Sequence, residues 1–267
     1  MRVKLRKYRV IMAVSWRVHL LSAAPANAAG LRAAVLCGSL NIPVPMEVSM
    51  KYRCLIVDHD DTVVNSTATV HFPCFQEYVA RYRPGYSCTL EHYFLQNFHP
   101  GVVPFFRDEV GLSEDEMLHE QAYWKAYVQL HVPRAYPGMA DILRRHKTDD
   151  GLLCVISHSY RENILRDYRE NGLPEPDAVF GWEYPPHQRK PSPWAVERIM
   201  DGFGLKTDQV LILDDLKPGL DMAVAAGVDF AAAGWAYDIP EIEAYMRENC
   251  GRYFKTVGDF GKWLFDE

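Results

Sequence analysis

The sequence of 267 residues lacks the patterns that mark several common functional classes. None of its six cysteines stands in a C-x-x-C pair, which argues against a zinc ribbon or a thioredoxin-type redox site. His119 and Glu120 form only half of an H-E-x-x-H zinc motif, because the second histidine is missing. The glycine pair at 202–204 follows a predicted helix and not a strand, so it does not match a dinucleotide-binding loop.

Long apolar runs and internal repeats are also missing, and the only low-complexity tract is an Ala-rich stretch near the N-terminus. No run reaches the roughly 18 residues needed to cross a bilayer, so we expect no membrane association. The cysteine usage favours a reducing compartment, and we predict a cytoplasmic protein. With 48% hydrophobic and 12% aromatic residues, the chain can build one large domain, alone or with a smaller one.

Positive charge is scarce after residue 49. Residues 1–49 hold seven Lys and Arg and a single acid, whereas residues 50–267 hold 22 basic and 34 acidic residues, a net charge of −12. Such an acidic body argues against nucleic acid as a partner. An anionic substrate would need a local metal ion or lysine, because the overall field repels it.

Residues 1–49 differ from the rest and are predicted to be an atypical N-terminal extension, either disordered or wrongly assigned as coding. A basic start, a short apolar run and an A-x-A-like tract at 26–28 resemble a secretory signal, but Arg17 and His19 interrupt the apolar part. An Arg-rich transit peptide is a second interpretation. The third, which we favour, is that translation starts at Met50, and N-terminal sequencing of the natively expressed protein separates the three.

From residue 137 onward, apolar strands alternate with amphipathic helices. Strands are predicted at 152–156, 178–180, 210–213 and 228–233, and helices at 139–147, 161–170, 194–203, 220–226, 239–248 and 257–265. This alternation is typical of a parallel sheet with helices on both faces. With the apolar strand at 55–57, it predicts an α/β, Rossmann-like core domain made of residues 50–65 and 137–267.

Residues 66–136 are rich in aromatic side chains and in helix signals, with few strand signals. Ser113 and Glu116 form a capping box that predicts a helix ending at about His131. Because this segment interrupts the core directly after the first strand, we predict a small helical domain inserted there.

Polar side chains follow the predicted strands directly at their carboxyl ends. They are Asp58 and Asp60 after the first strand, Ser157 and His158 after 152–156, and Asp214 and Asp215 after 210–213, with Lys190 before the helix at 194. The carboxyl ends of parallel strands meet at one edge, where ligands of such sheets bind. Crowded carboxylates there repel one another unless a cation or proton intervenes. For the first acidic cluster alone, a solvated turn is the alternative.

The order of these residues resembles the haloacid dehalogenase (HAD) superfamily. Its pattern is Asp-x-Asp-x-Thr, a Ser or Thr after a second strand, a lysine, and an acidic pair after a further strand. The matching residues are Asp58, Asp60 and Thr62, then Ser157, Lys190, Asp214 and Asp215. The resemblance covers residues 50–267, and the helical insertion is similar to the cap of the phosphoglycolate phosphatase-like branch.

The resemblance implies a phosphatase that hydrolyses a small phosphorylated metabolite through an aspartyl-phosphate. Asp58 would be the nucleophile, and Asp60 the general acid and base. We expect Asp60 to carry a proton near neutral pH, because neighbouring carboxylates disfavour its ionised form. Ser157, His158 and Lys190 would bind the phosphate, Ser157 and Lys190 also belonging to the catalytic set.

The implied cofactor is Mg²⁺, which prefers oxygen ligands. Its ligands would be Asp58, the backbone carbonyl of Asp60, and Asp215, with Asp214 as a further ligand or a neighbour. The implied partner is the phosphorylated metabolite, and we expect a monomer or a homodimer.

The sequence departs from the superfamily at two positions. Asp61 stands where a glycine is usual, and His59 stands where an apolar residue is usual. We expect Asp61 to alter the turn and His59 to be packed or solvated. Thr62 is expected to hold the loop through its hydroxyl.

Two other functions remain open. A phosphomutase of the same superfamily is one, because His71 lies near the position where such enzymes carry a cap histidine. A non-catalytic HAD-like binding module is the other. A dehalogenase is disfavoured, because that branch of the superfamily lacks an aspartate at the position that Asp60 occupies in this sequence. Basic side chains of the insertion are candidates for reading the substrate: His71, Arg81, Arg83, His92 and Arg107.

Overall fold

A six-stranded parallel sheet organises the residues that the computed structural model describes, 50–267. The strands in chain order are β1 (Cys54–Val57), β2 (Val64–Asn65), β3 (Arg134–Ala135), β4 (Leu152–Ile156), β5 (Ala178–Phe180), β6 (Val210–Asp214), β7 (Asp229–Ala233) and β8 (Tyr253–Phe254). The sheet has the order β5-β4-β1-β6-β7-β8, and β2 and β3 form a separate antiparallel ribbon. The predictions for residues 1–49 lie outside the described residues.

The helices lie within the insertion and on both faces of the sheet. They are α1 (Phe72–Tyr82), α2 (Leu90–Phe98), α3 (Val102–Pro104), α4 (Glu114–Leu130), α5 (Met139–Thr148), α6 (Arg161–Glu170), α7 (Trp194–Phe203), α8 (Lys217–Ala226), α9 (Pro240–Asn249) and α10 (Val257–Leu264). Single π-helical turns at Thr67–His71 and Phe105–Glu109 precede α1 and follow α3.

The core lies in two apolar layers, because successive side chains of a strand point to opposite faces. Leu55 and Val57 of β1 pack in a layer with buried residues of α5, α6 and α10. Cys54 and Ile56 pack in the other layer with α7, α8 and α9. The predicted α/β fold with a parallel sheet covered on both faces and an inserted helical segment is confirmed.

The element bounds differ from the predicted ones mainly at their ends. Helix α8 begins at Lys217 and not at Leu220, because Pro218 is tolerated in the first turn of a helix. Strand β6 includes Asp214, which pairs with Ala232 of β7. The two-residue strands β2, β3 and β8 were not predicted, since they are too short to show a periodicity.

The helical insertion, predicted at residues 66–136, has an aromatic core of its own. The ring of Phe75 lies 5.1 Å from Tyr93 and 5.4 Å from Phe106, centroid to centroid. At the start of α4 the predicted capping box is present, with the Ser113 amide donating to Glu116 Oε2 over 2.9 Å. The three aromatic residues belong to a third apolar cluster besides the two layers on the sheet.

The exit of the insertion is tied to the core by α6. Arg166 Nη1 donates to the Val128 carbonyl near the end of α4 (2.7 Å), which also accepts from the His131 amide (3.4 Å). Asn171 Nδ2 donates to the Pro133 carbonyl (3.0 Å), and its Oδ1 accepts from the Ala135 amide (2.8 Å). The β2–β3 ribbon therefore connects the two regions at a point that α6 holds firmly.

The described cysteines are all free thiols: Cys54, Cys74, Cys88, Cys154 and Cys250. The Sγ atoms of Cys54 and Cys154 lie 4.0 Å apart on neighbouring strands. Within residues 50–267, no helix is long and apolar enough to cross a bilayer.

Candidate active site

Three buried charges meet where β1 and β6 end. Lys190 Nζ lies 2.8 Å from Asp58 Oδ1 and 2.7 Å from Asp214 Oδ2. The amide of Asp58 donates to the Leu213 carbonyl over 2.9 Å, which extends the β1–β6 pairing to the aspartate. Burial raises the pKa of Asp58 to about 7, while the Lys190 ammonium opposes that rise. The ammonium is thus the group that favours an ionised Asp58.

His158 holds the backbone that carries Lys190. Its Nε2 lies 3.2 Å from the Lys190 carbonyl, and its ring stands edge-on to Trp182. Burial and the nearby Lys190 charge lower the pKa of His158 to about 4, so the imidazole is neutral and donates through Nε2. A neutral ring gives a phosphate no charge, and the phosphate-binding role of His158 stays a prediction.

Asp60 is surrounded by hydrogen-bond donors. Oδ1 lies 3.0 Å from His71 Nε2, and Oδ2 accepts from Ser159 Oγ (2.6 Å) and Ser157 Oγ (3.3 Å). Burial alone would raise the pKa of Asp60, but the His71 and Ser159 contacts lower it below its ordinary value. The prediction that Asp60 carries a proton near neutral pH is therefore wrong for this arrangement, because its neighbours on both oxygens are donors.

His71 presents a ring N–H to Asp60. The indole N–H of Trp124 donates to His71 Nδ1 over 3.0 Å, which leaves Nε2 as the protonated nitrogen that faces Asp60. Burial opposes protonation of His71, but the Asp60 carboxylate raises its pKa. An imidazolium has no acceptor nitrogen, so a second proton on His71 would cost the Trp124 hydrogen bond.

Three carboxylates form a candidate site for a divalent cation. Asp58, Asp214 and Asp215 are buried and each offers an oxygen within 4.8 Å of the others. Both Asp214 oxygens have partners, Lys190 and the Leu216 amide (2.9 Å). Within residues 50–267, the Asp215 carboxylate receives only a 3.3 Å hydrogen bond from Thr62, and burial and Asp214 raise its pKa well above the ordinary value. An all-oxygen set that lacks sufficient positive charge fits a hard divalent cation.

A cavity of about 580 Å³ opens onto these groups. Its core wall consists of Asp58, Asp60, Asp61, His158, Ser159, Trp182, Lys190, Asp215, Leu216 and Pro218. Its insertion wall consists of Thr67, His71, Tyr93, Phe94, Asn97, Val102, Val103, Phe106, Glu114, Met117, Leu118, Glu120, Gln121 and Trp124. A ligand in this cavity would contact charged strand ends on one side and mostly apolar helix faces on the other.

The sequence model of the haloacid dehalogenase-like hydrolases matches residues 55–233, which include the aspartates, serines and lysine described above. The chain belongs to this family. The resemblance noted from the motifs is thereby confirmed, and the prediction of a hydrolase with it. No curated protein matches the sequence.

Solved structures share the fold of this HAD-family chain. A haloacid dehalogenase-like hydrolase by name, from Bacteroides fragilis, superimposes with a TM-score of 0.66 at 22% identity, over 79% of this chain and 100% of the other. A predicted phosphoglycolate phosphatase from Haemophilus somnus 129PT superimposes with a TM-score of 0.64 at 18% identity, over 80% of this chain and 99% of the other. CbbY from Rhodobacter sphaeroides, solved in complex with phosphate, superimposes with a TM-score of 0.62 at 19% identity, over 81% of this chain and 100% of the other. Identities this low establish the fold alone.

The departures from the HAD pattern have structural reasons. Asp61 has a φ of 57°, in the left-handed region where glycine is favoured and aspartate is tolerated. Its Oδ1 accepts from the Thr67 amide (3.1 Å), so the same side chain starts the helical insertion. His59 is buried and packed, which is one of the two alternatives predicted for it, and its Nε2 lies 3.0 Å from Asp167 Oδ2. The Thr62 hydroxyl reaches Asp215 and not its own loop.

Two residues of the HAD site were not singled out from the sequence. Ser159 lines the cavity and donates to Asp60, whereas Ser157 does not line it and accepts from the Ser159 amide (3.1 Å). The sequence signal that could have identified Ser159 is its position two residues after Ser157 in the same loop. At Gly219 a Cβ would lie 2.2 Å from Asp214 Cγ, so only glycine lets α8 approach that close.

Of the five basic side chains predicted to read the substrate, only His71 lines the cavity. The others have partners elsewhere in the insertion: Arg83 with Glu116, His92 with Glu109, Arg107 with Asp108, and Arg81 with the Tyr82 ring. The sequence reasoning missed Glu120. Its signal was an acid at i+3 from Met117 and i−4 from Trp124, in the middle of one helix face.

Proposed function

We propose that this enzyme is a Mg²⁺-dependent phosphatase that hydrolyses a small phosphorylated metabolite through an aspartyl-phosphate on Asp58. The observation that carries this proposal is the 2.8 Å contact between Asp58 Oδ1 and Lys190 Nζ at the end of β1. A buried carboxylate beside a fixed ammonium, with Asp60 two residues away, suits attack on an anionic phosphoryl group. The phosphate bound to CbbY, a protein of the same fold, is consistent with it.

In the proposed first step, a carboxylate oxygen of Asp58 attacks phosphorus in line with the leaving oxygen. Lys190 contacts Asp58 and would also face the equatorial phosphate oxygens, where negative charge accumulates. Ser159 at the cavity surface and the backbone amides of its loop would donate to the same oxygens, as would Ser157 if its hydroxyl turned from Asp60.

Proton transfer would involve Asp60 and His71 together. Asp60 is ionised in this arrangement, and His71 Nε2 lies 3.0 Å from its Oδ1. In the first step the leaving oxygen would take a proton from this pair with His71 in its imidazolium form, because the N–H of a neutral imidazole is too weak an acid. In the second step Asp60 would accept the proton of the water that attacks the aspartyl-phosphate.

The residues that would hold Mg²⁺ are Asp58, Asp215 and the main-chain carbonyl of Asp60. Asp214, whose oxygens bind Lys190 and the Leu216 amide, would act as a neighbour. When bound, the cation would neutralise charge on the phosphoryl group and on the crowded carboxylates.

The helical insertion would act as a cap domain, with residues 66–136 forming it and residues 50–65 and 137–267 forming the core. Its wall closes one side of the cavity above Asp58 and Asp60, where it would exclude water and contact the organic part of the substrate. We further propose a cytoplasmic location, in keeping with the free thiols of the described chain.

The test is phosphate release from an aryl phosphate with and without Mg²⁺. We expect Mg²⁺-dependent turnover that Asp58→Asn abolishes and that Asp221→Asn, at a partly exposed ion pair with Lys217, leaves intact. Turnover without any divalent cation, or full activity of Asp58→Asn, would contradict the proposal. A complete lack of turnover on a wide panel of phosphomonoesters would favour the non-catalytic binding module.

The contact of His71 with Asp60 also favours a second candidate, the phosphomutase. In that reaction the phosphoryl group on Asp58 would pass to a second hydroxyl of the substrate instead of to water. Incubation with sugar phosphates and analysis by phosphorus NMR separates the two, because a mutase forms an isomeric phosphate before free phosphate appears.

A further inference from the structure

We infer that the substrate is a phosphomonoester whose organic part carries a cationic nitrogen, held by Glu120 and aromatic rings of the insertion wall. This inference rests on the proposed phosphatase activity, because it concerns the other end of the same cavity.

Glu120 is a buried acid that faces the cavity from α4. Only 9% of the residue is exposed, and it lines the cavity. Within residues 50–267, neither a hydrogen bond nor an ion pair reaches its carboxylate. Burial raises the pKa of Glu120 to about 7, against the opposing influence of His71. A buried carboxylate without a partner is unfavourable, and an ammonium group of a ligand would supply the missing charge.

Aromatic rings share the insertion wall with this carboxylate. Tyr93, Phe106 and Trp124 line the same cavity as Glu120. The Trp124 ring is fixed by its hydrogen bond to His71 and lies 5.8 Å from the Tyr160 ring. Aromatic faces attract cations and also pack against the methylene or methyl groups that a substituted amine carries. An acid among aromatic rings is the chemistry that recognises an ammonium ion.

The charges of the cavity disfavour a second anion on the substrate. Lys190 is the one lysine or arginine that lines the cavity within the described chain, and it already contacts Asp58 and Asp214. The insertion wall adds two acids, Glu114 and Glu120. A carboxylate such as that of phosphoglycolate would meet these acids, and the one basic side chain of this wall, His71, already contacts Asp60. A neutral organic part would leave Glu120 unpaired.

The experiment compares substrates of matched shape and different charge. Phosphocholine and phosphoethanolamine represent quaternary and primary ammonium groups, 3,3-dimethylbutyl phosphate is the neutral counterpart of the former, and phosphoglycolate carries a carboxylate. We expect kcat/KM for the better ammonium substrate to exceed that for the neutral one by at least about 10-fold. The ranking of the two ammonium substrates tells which kind of nitrogen is bound.

Two variants assign the preference to Glu120. Glu120→Gln should reduce the ratio of kcat/KM between phosphocholine and its neutral counterpart to about one, because an amide keeps the shape and removes the charge. Asp115→Asn removes one charge from an exposed position in the first turn of the same helix and should keep the wild-type ratio. Equal kcat/KM for charged and neutral substrates in the wild type, or an unchanged ratio in Glu120→Gln, would overturn the inference.

Binding separates failure of this inference from failure of the proposed function. In the Asp58→Asn background, calorimetry should show phosphocholine binding at least about 10-fold more tightly than 3,3-dimethylbutyl phosphate, and Glu120→Gln should remove that difference. If no phosphomonoester is turned over, the phosphatase proposal fails while this comparison still decides the ligand class. Turnover with no preference for ammonium overturns this inference alone.

Discussion

The two walls of the cavity differ in how they are built. On the core wall, Lys190 contacts Asp58 at the end of β1, and Asp60 accepts from two serines that follow β4 and from His71 of the insertion. On the insertion wall, the carboxylate of Glu120 has no hydrogen-bond or ion-pair partner within residues 50–267, and most of the lining side chains are apolar or aromatic. A wall on which Asp58 and Asp60 already have fixed partners suits a fixed reaction on phosphate, whereas an unpaired acid is available to select the rest of the substrate.

After Asp58→Asn, which should abolish turnover, the largest effect is expected from Asp60→Asn on the core wall. General acid–base catalysis contributes about 10²–10⁴-fold, so alkyl phosphates should lose activity by that factor. A nitrophenolate leaves without a proton, so an aryl phosphate should still phosphorylate Asp58 and then stall. Rapid quench should show a burst of phenol followed by little turnover.

Equal losses for alkyl and aryl phosphates, without a burst, would remove the acid–base role from Asp60. The residue would then act through its backbone carbonyl and its charge. Ser159→Ala is the variant for comparison, because it removes a hydroxyl that contacts Asp60 and would contact phosphate, but leaves the carboxylate in place. It should lower turnover without the stall that follows the burst.

Asp215→Asn should affect the cation and not the organic part of the substrate. The Mg²⁺ concentration at half-maximal activity should rise by at least about 10-fold. The variant loses the carboxylate that has the weakest protein contacts among Asp58, Asp214 and Asp215. The ratio of kcat/KM between ammonium and neutral substrates should stay unchanged, since it depends on the insertion wall. An unchanged Mg²⁺ dependence would exclude Asp215 as a ligand.

Trp124→Phe changes the point where the two walls meet. The variant keeps a ring on the insertion wall and removes the indole donor to His71 Nδ1. Losing one hydrogen bond should lower kcat/KM by about 2–10-fold. It should also make a second proton on His71 easier to accept, so the pH profile should shift toward higher pH. An unaltered profile would show that Trp124 does not control the His71 tautomer.

The smallest effect is expected away from both walls, at His146 on α5, and it concerns the free energy of unfolding and not the activity. Burial lowers the pKa of His146, whose Nε2 lies 3.2 Å from the Leu152 carbonyl. A lowered pKa means that the neutral form stabilises the fold above the ordinary value of about 6.5, and that this contribution is lost as the pH falls. His146→Gln keeps a donor that does not titrate.

Urea unfolding of wild type and His146→Gln at about pH 7.5 and about pH 5.5 measures this difference. The stability of wild type relative to the variant should decrease at the lower pH, while kcat at neutral pH stays the same. An opposite change with pH would mean that the folded state binds the proton more tightly.

The core wall could be predicted because its residues follow apolar strands in chain order. Asp58, Ser157 and Asp214 each stand at or just after the end of an uninterrupted apolar run, and parallel pairing brings such ends to one edge. The positions of these residues in the sequence did not predict the protonation state of each group. The ionised Asp60 depends on His71 and Ser159, whose contacts arise only when the insertion and β4 meet.

The insertion wall could not be predicted, because it combines residues from separate helices. Tyr93 lies on α2, Phe106 follows α3, and Glu120 lies on α4, so no spacing in the sequence relates them. The five basic side chains were predicted to contact the substrate only because they carry positive charge. Most of them bind acids outside the cavity, as Arg83 does with Glu116. The pairing of His59 with Asp167 was hidden for the same reason, since 108 residues separate them.

The most direct test of the account is to locate the phosphoryl group during turnover. Wild-type enzyme is mixed with an aryl phosphate and Mg²⁺, quenched in acid within milliseconds, reduced with borohydride and mapped by mass spectrometry. The account predicts modification at Asp58 alone, and none in Asp58→Asn. A phosphoryl group on another residue, or none under conditions of steady turnover and a demonstrated burst, would contradict Asp58 as the nucleophile.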